Sequence, residues 1–156
     1  MSEPAQPAVA DAPAFPTAFL KHMGFVVNKV AERLNRQVET VTLPHGLTFR
    51  QYGLLLLLQT EGPQAQIVLS LRVGLDRTSV MRTVDALEAR GLVRRDADPS
   101  DRRRHSVVLT DAGADLLART LPQVRRAEAQ VTSALSADEQ ALMMALLTRL
   151  LTEAGG

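Results

Sequence analysis

The chain has 156 residues, of which 46% are apolar and 22% charged, and its formal net charge is +1. This length and apolar content are typical of a single folded domain with a hydrophobic core. The absence of cysteine excludes disulfides and cysteine-ligated metal sites. The sequence has no signal peptide and no apolar run long enough to span a bilayer, so we expect a cytoplasmic protein without membrane contact.

The first 41 residues divide into a tail and a long helix. Residues 1–16 are rich in alanine and proline and lack an apolar period, which predicts a flexible tail. From Thr17 to about Val41, apolar residues recur at helical spacing. A helix of this length, roughly 35 Å, exceeds what a compact domain needs. It either packs inside one subunit or pairs with a second copy of the chain.

Two further helices are predicted between residues 48 and 72. Thr48 and Gln51 have the spacing of a capping box, and the helix that they start contains the five leucines of Leu54–Leu58. Because this helix is apolar nearly all round, it should be the central buried one. The next helix is predicted from about Gln64 to Arg72 and ends at a turn in which Gly74 adopts a left-handed conformation.

A helix over Asp76–Gly91 follows that turn. Asp76 can cap its first turn, and Gly91 suits the position just past its end. An apolar stripe faces one side, formed by Val80, Val84 and Leu87. The opposite side is left to Thr78, Arg82, Asp85 and Ala89.

The segment after Gly91 predicts a β-hairpin with a basic tip. Residues 92–97 and 104–109 have strand character, and Asp98–Asp101 is a turn signal. Arg102, Arg103 and Arg104 lie near the tip, although charge runs are often only solvated surface. Nine of the 18 basic residues are arginines between Ser70 and His105. A polar helix beside a basic arm suits a helix in the DNA major groove and an arm in the minor groove.

Two helices complete the chain. Thr110 can cap a helix that starts at Asp111, and Ser136 with Glu139 forms a second capping box. The last helix has a leucine-rich face that is too apolar for a helix lying alone on a surface. We expect both helices, with residues 17–42, to form the base of a dimer.

The order and spacing of residues 75–113 resemble the MarR/SlyA family of winged helix-turn-helix transcriptional regulators. The motif consists of Leu87–Val93, the Asp101 and Arg103 pair, Leu109–Thr110 and Gly113. The resemblance implies a mainly α fold with a two-stranded β wing and a helical dimerisation base. It implies one domain over residues 17–152, in which 48–110 bind DNA and 17–42 with 111–152 dimerise.

The same resemblance implies partners and site residues. The partners are a second copy of the chain, a pseudo-palindromic double-stranded DNA operator and a small effector; without cysteine, peroxide sensing through a thiol is excluded. From the residues themselves, base contacts are expected from Thr78, Ser79 and Arg82, because an arginine can donate two hydrogen bonds to guanine. The wing would place Arg103 in the minor groove, with Asp101 holding its guanidinium extended. Backbone contacts are expected from Arg77, Arg94, Arg95, Arg102 and Arg104.

Alternatives stay open at several of these positions. Arg82 can pair with Asp85 on a solvated face, and Asp101 with Arg103 can be an exposed ion pair. Val68 and Leu71 depart from the polar residues that the family leads us to expect, so they either extend the core or contact another molecule.

The histidines do not have metal-ligand or catalytic spacing, and we expect no cofactor. His45 and His105 should face solvent. His22 and Tyr52 either line a pocket for a small aromatic acid or belong to the core.

The sequence therefore predicts a homodimeric, sequence-specific DNA-binding regulator, most simply a repressor released by a small ligand. The alternative is a winged-helix module that binds proteins and not specific DNA. No catalytic constellation supports an enzyme.

Overall fold

A computed structural model of the chain describes residues 16–97 and 105–153. The chain forms two compact units, and the boundary between them falls between Arg33 and Leu34, inside the first α-helix. The predicted tail, except Pro16, and the predicted tip of the hairpin lie outside the described residues.

The first unit begins with a 3₁₀ helix over Thr17–Lys21, and α1 (Met23–Thr42) starts only after it. The prediction of one continuous helix from Thr17 is therefore wrong. His22 adopts an extended conformation, with φ of −115° and ψ of 104°. The hydrogen bonds before His22 run from i to i−3, and the first i to i−4 bond is the one that the Val26 N–H donates to the His22 carbonyl.

In the second unit, α1 ends in a 3₁₀ turn over Leu43–His45, and α2 (Phe49–Glu61) follows. The predicted capping box is confirmed, because Thr48 accepts from the Gln51 N–H and Gln51 accepts from the Thr48 N–H. The Arg90 guanidinium donates to the carbonyls of His45 and Gly46. Arg90 thus ties the 3₁₀ turn to the end of a later helix.

The predicted third helix is shorter than expected, because its first two residues form a strand. Gln64 and Ala65 make up β1, and α3 covers Gln66–Val73. β1 pairs antiparallel with β3 (His105–Leu109), which also pairs with β2 (Val93–Ala97). The sheet therefore has three strands in the order β1-β3-β2, and not only the two strands of the predicted wing. Two residues are too few to show a strand period, so only packing reveals β1.

The remaining helices are α4 (Arg77–Ala89), α5 (Asp111–Val131) and α6 (Ala137–Glu153). Thr110 caps α5 as predicted, since it accepts from the Gly113 N–H, and its hydroxyl donates to the Gly91 carbonyl. The capping box at Ser136 and Glu139 is also confirmed. The mainly α fold with a β wing matches the prediction.

The core of the second unit gathers side chains from α2, α3, α4, the sheet and α5. Its fully buried members include Leu47, Leu54, Leu55, Leu69, Leu87, Val80, Val84, Val93 and Val107. Val68 and Leu71 of α3 are apolar where the family resemblance predicts polar residues. Val68 is half-buried and Leu71 is 78% exposed. The core interpretation is therefore wrong for Leu71. Leu69 points into the core, and two residues further on a helix turns a side chain by about 200°.

Helix α6 has no buried residue, although its sequence is rich in leucine. Its exposed apolar side chains are Leu142, Met144, Leu146, Leu147, Leu150 and Leu151. The first unit also exposes apolar side chains, namely Phe19, Leu20, Met23, Phe25, Val27 and Val30. None of the helices in the described ranges is both long and apolar enough to cross a membrane.

Candidate nucleic-acid interface

The first turn of α4 is held by the predicted cap. The Asp76 carboxylate accepts from the Ser79 N–H at 2.9 Å and from the Ser79 hydroxyl at 2.5 Å. Both hydrogen bonds lower the pKa of Asp76 from its ordinary value, and the bond from the Ser79 hydroxyl has the larger effect. The predicted base-contact residue Ser79 is half-buried and uses its hydroxyl proton inside the cap.

Helix α4 has one buried and one exposed face, as predicted. Val80, Val84 and Leu87 are buried, and Gly91 adopts the left-handed conformation, with φ of +69°, immediately after the C-cap residue Arg90. The exposed side chains are Arg77, Thr78, Met81, Arg82, Asp85, Ala86 and Ala89. The predicted contact residues Arg77, Thr78 and Arg82 thus lie on one solvent-facing surface.

Arg82 forms no ion pair with Asp85, and the Asp85 carboxylate binds Arg95 instead. Arg82 instead lies beside an open cleft of about 560 Å³, which Asn35 and Glu39 of α1 and Phe49 and Arg50 of α2 also line. Among the described residues, no carboxylate forms an ion pair with Arg82. Its guanidinium is therefore available to an external acceptor.

Arg95 on β2 lies at the centre of a hydrogen-bond network between the wing and α4. Its guanidinium binds both Glu88 and Asp85, and its backbone N–H donates to the second oxygen of Glu88 at 2.9 Å. In the amide orientation that matches donors with acceptors, Gln66 of α3 also accepts from this guanidinium at 2.9 and 3.0 Å. Burial lowers the pKa of Arg95, but the hydrogen bonds that its guanidinium donates to Asp85 and Glu88, with the charges of these carboxylates, outweigh burial and raise the pKa above its ordinary value.

Of the other arginines of the wing, the structure describes Arg94 but not those of the predicted tip. Arg94 is exposed and forms an ion pair of 2.7 Å with Asp96 of the same strand. The strands remain paired to the end of the described arm, where Ala97 faces His105. The predicted minor-groove pair Asp101 and Arg103, and the predicted backbone contacts Arg102 and Arg104, lie outside the described residues.

The histidines and the tyrosine occupy different environments. His22 is exposed in the first unit, edge-on to Phe25. Tyr52 is 5% exposed in the core of the second unit, and burial, followed by the charge of Glu128, raises its pKa. Their assignment to a ligand pocket stays a prediction. His105 is exposed as expected, whereas His45 is half-buried with its Nε2 3.2 Å from the Gln123 amide nitrogen, which corrects its predicted exposure.

One exposed residue of this surface was not expected from the sequence. Met81 is 48% exposed, between Thr78 and Arg82. The signal was present, since Met81 falls outside the stripe of Val80, Val84 and Leu87. Because Met81 is apolar and lies beside that stripe, it is easily assigned to the core, and its exposure was therefore missed.

The arrangement of α3, a left-handed turn at Gly74, α4 with an exposed polar face, and a β2–β3 arm defines a winged helix-turn-helix DNA-binding regulator. A sequence profile described as the MarR family matches residues 45–104. Over 111 residues, the chain is 34% identical to a transcriptional regulatory protein for the hcr operon of Thauera aromatica, covering 71% of this chain and 67% of that protein.

Two solved structures have the same fold. The transcriptional repressor CouR, bound to a 23-mer DNA duplex, is 30% identical with a TM-score of 0.80, covering 89% of this chain and 99% of that chain. PcaV from Streptomyces coelicolor, in complex with its natural ligand, is 28% identical with a TM-score of 0.71, covering 92% and 99%. The chain belongs to the MarR family, whose members are DNA-binding transcriptional regulators and not enzymes.

Proposed function

We propose that this regulator is a homodimeric, sequence-specific repressor that a small ligand releases from a pseudo-palindromic operator. The observation that supports it most directly is the exposed face of α4. Arg77, Thr78 and Arg82 project from it, and no carboxylate of the described residues pairs with Arg82. The similar protein CouR is a repressor that was solved on duplex DNA.

In this proposal, α4 enters the major groove and Arg82 contacts a base edge. A guanidinium can donate two hydrogen bonds to O6 and N7 of guanine, which discriminates against other bases by about 1–3 kcal/mol. Thr78 contacts a neighbouring base. Ser79 donates its hydroxyl proton to Asp76, so it can contact DNA only as a hydrogen-bond acceptor. Arg103 of the wing enters the adjacent minor groove, where a narrow A·T-rich segment has enhanced negative potential.

Contacts to phosphate position the protein without specifying sequence. We assign these contacts to Arg77 and Arg94, which are exposed, and to Arg102 and Arg104 of the wing tip. The ion pair of Arg94 with Asp96 is at the surface and therefore weak, so a phosphate can replace it. Arg95 is assigned differently, because Asp85 and Glu88 already engage its guanidinium.

Homodimerisation is proposed from the apolar surface that α6 leaves uncovered. Leu142, Leu150 and Leu151 are each at least 60% exposed in the single chain. Contiguous apolar surface of this kind is typical of an interface between protein chains. We infer that residues 17–42 and 111–152 form a symmetric base that presents two copies of α4 to half-sites about one helical turn apart.

Light scattering tests the dimer. We expect twice the 17.0 kDa mass of one chain, and Leu150→Glu should reduce the mass to that of one chain while the circular dichroism of the helices persists. Thr148→Glu is the matched control, because Thr148 lies off the apolar stripe of the same exposed helix. A wild-type protein with the mass of one chain at micromolar concentration would contradict the dimer.

The ligand is proposed to be a small aromatic acid, and it acts by favouring a spacing of the two α4 helices that does not fit the operator. A ligand shifts such an equilibrium only through different affinities for the two arrangements. That PcaV was solved with its natural ligand supports a ligand-responsive mechanism. A ligand at 100 times its Kd should stabilise the fold by about 2.7 kcal/mol and release the operator in the same titration.

Selection of bound duplexes from a random pool tests the DNA-binding proposal. We expect a common half-site repeated in inverted orientation. On that operator, altered one base pair at a time, Arg82→Ala should lose discrimination at one G·C pair, whereas Arg119→Ala, an exposed arginine of α5, should not. A uniform loss in Arg82→Ala would assign Arg82 to phosphate, and a pool without any common half-site would favour the protein-binding module.

A further inference from the structure

Met81 is the large apolar side chain on the exposed face of α4. It is 48% exposed, whereas the neighbouring Val80 and Val84 are at most 1% exposed. Thr78, three residues earlier, and Arg82, the next residue, lie on the same solvent-facing surface. Met81 therefore contributes little to the core, and its position is that of a contact residue.

Most polar side chains around Met81 are already engaged within the protein. The Ser79 hydroxyl donates to Asp76 at 2.5 Å, and the Thr83 hydroxyl donates to the Ser79 carbonyl at 2.8 Å. The Asp85 carboxylate binds the Arg95 guanidinium. In the first two turns of α4, the exposed side chains that remain unengaged are therefore Arg77, Thr78, Met81 and Arg82.

We propose that Met81 is a specificity-determining residue that contacts the C5-methyl group of a thymine in the operator. The inference rests on the proposed function, in which this face of α4 enters the major groove. The thymine methyl is the apolar group that base edges present in that groove, and it distinguishes A·T pairs from G·C pairs. A half-exposed thioether side chain gains from burial against a methyl group and offers no strong hydrogen bond to any other base edge.

The position of Met81 also predicts where the thymine lies. Arg82 lies four residues after Thr78, which is a rise of about 6 Å along the helix axis. Neighbouring bases along one strand are about 3.4 Å apart, so this segment reaches about two base pairs. The thymine should therefore lie within about two base pairs of the guanine that Arg82 contacts.

Replacing thymines one at a time by deoxyuridine tests the proposal, because it removes only the methyl group. In the selected operator, the wild-type protein should lose affinity about fourfold at one thymine per half-site, which corresponds to one buried methyl group at about 0.8 kcal/mol. The other thymines serve as internal controls. Their substitution should leave the affinity unchanged.

Variants at position 81 assign that loss to the side chain. Met81→Ala and Met81→Gln should bind the thymine duplex more weakly, and the uridine substitution should then have no further effect. Met81→Leu should retain the fourfold response. Leu43→Ala is the matched control, because Leu43 is an exposed apolar residue of the 3₁₀ turn that precedes α2, and it should retain the full response.

Two outcomes would overturn the inference, and they differ in what they say of the proposed function. If specific binding is found but the uridine effect persists in Met81→Ala, or no thymine responds, Met81 does not contact a thymine methyl and the proposed function stands. If the random pool yields no common half-site, both the Met81 inference and the proposed function are wrong.

Discussion

Arg95 and Glu88 are joined through both the main chain and the side chain of the arginine. The backbone N–H of Arg95 donates to one carboxylate oxygen of Glu88, and the guanidinium donates to the other. Because Glu88 is on α4 and Arg95 is on β2, this pair fixes the direction in which the wing leaves the helix. Asp85, one turn earlier on α4, binds the same guanidinium.

We predict that Arg95→Ala weakens operator binding without removing a phosphate contact. The wing loses this side-chain link to α4, so the free energy of unfolding should fall by about 1–2 kcal/mol and the operator affinity should fall with it. The slope of log K against log salt concentration should not change. Arg94→Ala should instead reduce that slope by about 0.9, the value of one phosphate contact. A similar reduction in Arg95→Ala would show that Arg95 binds phosphate.

Gly113→Ala should destabilise the protein. A Cβ at this position would lie 2.1 Å from the Leu92 carbonyl oxygen, so backbone must move to accommodate it. We expect a loss of about 2 kcal/mol, since overpacking exceeds the gain in helix propensity. Gly53→Ala in α2 is the matched control, because a Cβ there has no neighbour within 4 Å, and it should stabilise by about 0.5–1 kcal/mol. Equal melting temperatures for the two variants would contradict this prediction.

The cap at Asp76 should make the free energy of unfolding depend on pH in acidic solution. Its pKa is lowered in the folded protein, so its stabilisation is complete above the ordinary aspartate value of 3.8 and is lost as the pH falls through the folded-state pKa. Asp76→Asn preserves a good cap but does not titrate. Thermal melts should therefore show an advantage of wild type over Asp76→Asn that shrinks below about pH 4. In a Ser79→Ala background the pKa of Asp76 is lowered less, so the advantage should be smaller and should be lost over a narrower range of pH.

Arg103→Ala should weaken operator binding far more than it lowers the melting temperature. This prediction comes from the sequence motif, because the wing tip lies outside the described residues. The negative potential of a narrow minor groove attracts a guanidinium and so increases the operator affinity. An exposed ion pair of Arg103 with Asp101 would stabilise the fold by only about 0–1 kcal/mol. An unchanged affinity in a fluorescence titration would remove the minor-groove role.

The sequence by itself determined the features that depend on residues close in the chain. The caps at Thr48, Asp76, Thr110 and Ser136 and the buried stripe of α4 are all as predicted. Each depends on neighbours one helical turn apart, so residue type and spacing are sufficient to specify it. The strands of the wing were likewise predictable from their β-branched residues and from the turn-forming residue types of the sequence between them.

Only the tertiary structure decided features that join distant segments. β1 exists because Gln64 and Ala65 lie against β3, more than 40 residues later. The partners of Arg95, the half-burial of His45 and the exposure of Leu71 depend on which helix faces lie together. Such contacts depend on how the whole core packs, and no local spacing in the chain specifies them.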